Sequence, residues 1–216
     1  MRFRSLKCES LILSLAALFI FTFLVNAQED GENLISIENG GSLVLSDGAL
    51  PDWPDEDWNG AIDGDLESWS GTVTTFLVPE GEENPWAIFA FNNESTQVIG
   101  SVGFFMLPKA VIDDNCKTRC GKDFQVSVSA TGTDENDFEV VLEDTLELDL
   151  NLPFEDQEWI EFEFDAVKAK YIKLDFLSNY GDATYVTLGE FAVYGGVLAV
   201  EPTAKVASTW GKIKCK

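Results

Sequence analysis

Apolar and polar residues alternate with a period of two along most of the chain. The clearest case is Ile160, Phe162 and Phe164 against Glu161 and Glu163, followed by Ile172, Leu174 and Phe176 against Lys173 and Asp175. Each run reads as a strand with one buried and one wet face, and two such strands side by side can pair Glu with Lys. Strands are predicted over residues 43–45, 86–91, 98–107, 124–130, 138–142, 159–164, 171–177 and 186–194, separated by Gly, Pro, Asn and Asp. No stretch carries a helical stripe with caps, and no solenoid or propeller period repeats. The pattern therefore predicts an all-β chain, an antiparallel β-sandwich or jelly roll with almost no helix.

The first 27 residues break this pattern. Arg2, Arg4 and Lys7 precede an uncharged apolar run over 11–25, which ends in Val25-Asn26-Ala27, small residues at cleavage spacing. That is the form of an export signal, and the run falls short of the roughly 20 apolar residues of a spanning helix. The mature chain is expected to start at Gln28 and the sandwich to occupy residues 28–195, secreted or displayed at the cell surface. Residues 196–216 reverse the charge, with Glu201 against Lys205, Lys212, Lys214 and Lys216. They read as a separate basic tail.

Of 216 residues 45% are hydrophobic, enough for a sizeable core. Without residues 1–27, which hold three of the 14 basic and one of the 38 acidic residues, 11 basic stand against 37 acidic. This excess repels nucleic acid and anionic membranes, and leaves neutral glycans, cations and basic surfaces as partners. Beyond the signal lie Cys116, Cys120 and Cys215. Cys116 and Cys120 stand in the loop-like DDNCKTRCGKD, and an oxidising compartment favours a local disulfide between them, since no histidine is present to complete a zinc site. Cys215 is left over, as a free thiol or an intermolecular partner.

The order of features resembles a known family. An aspartate-rich turn, Ala61-Ile62-Asp63-Gly64-Asp65, leads to Ser68 and Trp69, then Pro85-Trp86, Phe124-Gln125-Val126-Ser127-Val128-Ser129 and Trp159-Ile160-Glu161-Phe162. Ala169-Lys170-Tyr171-Ile172-Lys173-Leu174, Leu188-Gly189-Glu190-Phe191 and Val193-Tyr194-Gly195 close the series. In this order they are similar to the discoidin domains, the coagulation factor V/VIII type C domains of the galactose-binding-like fold, to which bacterial carbohydrate-binding modules are related.

The resemblance implies a structural calcium ion between the turn and the last strand. Carried over position by position, its ligands are the Gly60 carbonyl, the Asp63 carboxylate, the Asp65 carbonyl, Ser68, the Gly189 carbonyl and the Glu190 carboxylate. The spacing from Asp63 to Trp69 is shorter than is usual there, and Ser68 replaces a threonine. Read without the resemblance, Asp-Gly-Asp sets carboxylate and carbonyl oxygens around a glycine able to take positive φ, which suits either a hard cation or a plain turn.

Sugar binding needs an aromatic face and a few planar polar groups. Trp53 and Trp58 in SDGALPDWPDEDWNG, Arg119, and Asn179, Tyr180 and Asp182 in LSNYGDATY are the candidates, while Trp69, Trp86 and Trp159 stand where core packing is expected. Without histidine there is no Ser–His or Cys–His nucleophile pair, and no two acids stand apart as a glycosidase pair. The expectation is a non-catalytic module binding glycans or mediating cell-surface adhesion, with a protein-interaction or extracellular scaffold role as the alternative.

Overall fold

The computed structural model describes residues 31–47, 57–68, 73–76 and 84–198. The segment expected to be an export signal, Trp53, Trp69, Cys215 and most of the basic tail lie outside these residues. Among the described residues ten strands run in the order β1 (Ser42–Ser46), β2 (Val73–Phe76), β3 (Trp86–Ala90), β4 (Gln97–Phe105), β5 (Asp123–Ser129), β6 (Glu139–Thr145), β7 (Ile160–Ala169), β8 (Tyr171–Phe176), β9 (Tyr185–Leu188) and β10 (Glu190–Gly195). Among the described residues helix is confined to one short α-helix, α1 (Lys109–Asp113), and single 3-10 turns. Among the described residues the strands form a five-stranded sheet β1-β3-β8-β5-β6, a three-stranded sheet β10-β4-β7 and a ribbon β2-β9. Every strand pair is antiparallel.

The alternating runs explain the two layers. Ile172, Leu174 and Phe176 of β8 are fully buried, and Phe162 of β7 meets Phe104 and Phe124 at ring-centre distances of 6.0 and 5.0 Å. Phe104 also packs on Phe124 at 4.6 Å and on Phe191 of β10 at 5.1 Å, so strands of both sheets join in one aromatic core. Each buried phenylalanine contributes about 1.5–3 kcal/mol of transfer free energy.

Two expectations need correction. β7 and β8 are consecutive but lie in different sheets, so Glu161 and Glu163 do not face Lys173. Lys173 instead pairs with Asp175 of its own strand at 2.7 Å and stacks on Trp86, 5.1 Å from the ring centre. The single strand predicted over 186–194 is two, because the chain changes sheets at Gly189. A Cβ there would lie 2.4 Å from the Phe105 carbonyl oxygen, so only glycine passes.

Candidate functional site

The 3-10 turn Trp58–Ile62 begins at Asp57, whose carboxylate accepts the Asn59 N–H at 2.7 Å. It ends at Asp63, and Gly64 follows with φ of 85°. Asp63 accepts the Asp65 N–H at 2.8 Å, while Asp65 accepts the N–H groups of Glu67 and Ser68 at 2.9 and 3.1 Å. From the far end of the chain Glu190, at the start of β10, accepts the Gly64 N–H at 2.7 Å.

Glu190 is 2% exposed. Burial pushes its carboxyl up to about 9, and Asp63, within hydrogen-bonding reach, and Asp65 push in the same direction against the Gly64 N–H. The fold thus brings the Asp63 and Glu190 carboxylates together, an arrangement that needs a shared proton or a cation. Gly60 and Gly189 are buried in the same two segments. The Ser68 hydroxyl donates to the Asp65 carboxylate. Among the described residues no three His, Cys, Asp or Glu side chains converge on one point. A cation at this turn would therefore take the rest of its shell from carbonyl oxygens, which calcium accepts.

The sugar candidates fare unevenly. Trp58 is 1% exposed, stacked on Phe176 and edge-on to Phe89, with its indole N–H donated to the Asp47 carbonyl at 3.2 Å; it is a core residue, not a binding face. Asn179 donates to the Asp182 and Tyr185 carbonyls at 2.8 and 2.7 Å and accepts from the Gly181 N–H at 2.8 Å, which clamps its own loop. The Tyr180 hydroxyl donates to the Leu146 carbonyl and accepts the Leu148 N–H at 2.8 Å, tying that loop to the next.

Arg119 and Asp182 remain at the surface, paired at 3.4 Å. Arg119 also lies over the Tyr185 ring, 4.7 Å from its centre. Burial opposes ionisation of Asp182, but the N–H groups of Thr184 and Tyr185, together with Arg119, outweigh it and hold the carboxyl below its ordinary range. A guanidinium, an ionised carboxylate and a ring thus share one spot. Tyr185 had no signal in the sequence beyond its neighbourhood.

The bond expected between Cys116 and Cys120 is not formed in this structure, where both are free thiols. Cys120 is buried with its Sγ donated to the Met106 carbonyl at 3.2 Å, and burial pushes its thiol up to about 12. Cys116 turns its Sγ to the Asp114 carbonyl instead, at 3.6 Å. Trp159, expected in the core, is 37% exposed on the outer face of the three-stranded sheet, 5.9 Å from Phe105.

The Sad1/UNC-like C-terminal family profile matches residues 87–197, just over half of the chain. A search of the curated proteins finds no match. Among solved structures, the Clostridium perfringens module CpGH89CBM32-5 in complex with GalNAc-beta-1,3-galactose is 17% identical, with a TM-score of 0.54 over 76% of this chain and 100% of the module. The family 32 carbohydrate-binding module of Streptococcus pneumoniae EndoD is 12% identical, with 0.55 over 76% of this chain and 100% of its own. That of C. perfringens NanJ in complex with galactose is 13% identical, with 0.52 over 74% and 97%. With its antiparallel sandwich of the discoidin-like, galactose-binding-like fold, this chain belongs to the Sad1/UNC-like C-terminal family.

Proposed function

We propose that the chain is an exported, non-catalytic module that binds glycans at a cell surface or outside the cell, and that a calcium ion at the Asp63 turn holds its fold together. The observation that carries this reading is the match of the sandwich to carbohydrate-binding modules over 97–100% of their length, two of them in complex with galactose-containing sugars. The non-catalytic part is supported by the chain's lack of histidine, which removes the commonest general base.

The sugar would meet Arg119, Asp182 and Tyr185. Asp182 and Arg119 offer an acceptor and donors to ring hydroxyls, and Tyr185 a face to the C–H side of the ring. Calcium would be held by the Asp63 and Glu190 carboxylates with the carbonyl oxygens of Gly60, Asp65 and Gly189; bound there it supplies positive charge between two like-charged groups. The test is a glycan array of the mature chain with calcium and with chelator, beside Arg119→Ala and Asp182→Asn. Binding of a galactose-type sugar that both variants lose is expected; an array without a bound glycan in either condition would end this reading.

A further inference from the structure

The outer side of β7 has no place in that function. β4 pairs with one side of β7 only, and among the described residues no strand pairs with the other, so a row of backbone N–H and C=O groups stands open. Register with β4 is continuous over residues 160–163 and shifts beyond, between Ser101 and Ile99. Along the continuous part Glu161 and Glu163 are exposed in alternation, and Trp159 continues the same row.

The row has a firm floor. A Cβ on Gly103, the partner of Glu161, would lie 3.0 Å from the Tyr194 ring and 3.2 Å from the Trp159 ring, so both rings close over this glycine. Phe105 supports Trp159 at 5.9 Å and is itself backed by Phe154 at 6.1 Å. The ion pairs among the described residues are Arg119–Asp182 and Lys173–Asp175, which leaves Glu161 and Glu163 without a basic partner.

We propose that residues 159–163 dock an extended basic segment of a partner polypeptide, which adds a strand to the open side of β7 and sets alternate Lys or Arg side chains on Glu163, Glu161 and the Trp159 ring. Charge decides the occupant. A second copy of this edge would bring like charges together, the usual guard against self-pairing, whereas a strand with cations at every second position satisfies backbone and carboxylates at once. The indole face adds a cation–π contact. A sugar could use the ring but has no use for the open backbone row. This inference does not depend on the glycan reading.

The experiment titrates the full chain with a synthetic peptide alternating lysine and threonine, followed by anisotropy and by hydrogen–deuterium exchange. Slowed exchange over residues 159–163 is expected, with affinity falling as salt rises. The double variant Glu161→Lys, Glu163→Lys should weaken binding by roughly tenfold or more at low salt, with an unchanged thermal melt because both side chains are exposed. Trp159→Ala should weaken it less. The proposal is overturned if charge reversal leaves affinity intact, or if the same amides exchange equally fast with and without peptide. Equal binding of a peptide with its lysines in one block, or equal protection by a glucosamine oligomer, would also overturn it.

Discussion

Substituting Glu190 by glutamine gives the sharpest test of the proposed cation. In metal-free protein the Glu190 carboxyl sits at about 9 against an ordinary 4.5. Between these values the native state keeps a proton that the unfolded chain has released, so stability falls as pH rises, by about 1.4 kcal/mol per pH unit. The contribution is fully present below the unfolded value and is lost as pH climbs through the folded one. From about pH 5 to about pH 8 the loss is at most about 4 kcal/mol, a fall in Tm of roughly 8–16 °C for a domain of this size.

Bound calcium keeps the carboxylate ionised and removes this slope, adding about 2.7 kcal/mol when free calcium exceeds Kd a hundredfold. Glu190→Gln stays neutral at every pH and still accepts from Gly64, so both the slope and the calcium response should vanish. Scanning fluorimetry at stepped pH, with calcium or chelator, reads the difference between wild type and variant and so isolates this group from the other carboxylates. Wild-type melts that superimpose with and without calcium would refute the cation. A metal-free difference that does not change with pH would refute the burial argument.

Trp58→Ala should cost about 3–5 kcal/mol in denaturant melts, because it empties the space beside Phe89 and Phe176; a loss below 1 kcal/mol would put Trp58 outside the core. Gly121→Ala places a Cβ 2.2 Å from the Phe176 ring and should destabilise by about 1–3 kcal/mol, read in the same melts. Iodoacetamide at neutral pH should label Cys116 well before Cys120, whose thiol is buried and sits at about 12; equal rates by mass spectrometry, or labelling only after reduction, would contradict the two free thiols.

Alternation along β7 and β8 was enough to place both as strands, because the buried face of each repeats every second residue whatever its neighbour. It said nothing of which strand lies beside which, and the pairing of β7 with β4 is a property of residues some sixty positions apart. The switch at Gly189 was hidden for a related reason: the apolar run continues through it, and only the nearness of the Phe105 carbonyl reveals the break. At the site, the meeting of Glu190 with the turn after Asp63 was legible through the ordered resemblance, while the bond of Ser68 to Asp65 is a local feature that the resemblance did not carry. The tryptophans changed places. Trp58 looked like a loop aromatic until the 3-10 turn carried it inward, and Trp159 looked like core until β7 proved to be an edge.

Two bonds join the early and late parts of the described sandwich. Asn33 accepts the Val193 N–H at 3.0 Å across 160 residues, and Gly64 reaches Glu190 across 126. Contacts of such span pay the loop-closure entropy before they return any energy, which places this sandwich among the slow folders, in the range of milliseconds to seconds. During synthesis every other described strand leaves the ribosome before β10. A nascent chain stalled short of residue 190 would therefore carry most of the fold but only the Asp63 half of the acidic pair, and if the proposed calcium site holds it could be told from the finished protein by its indifference to divalent ions.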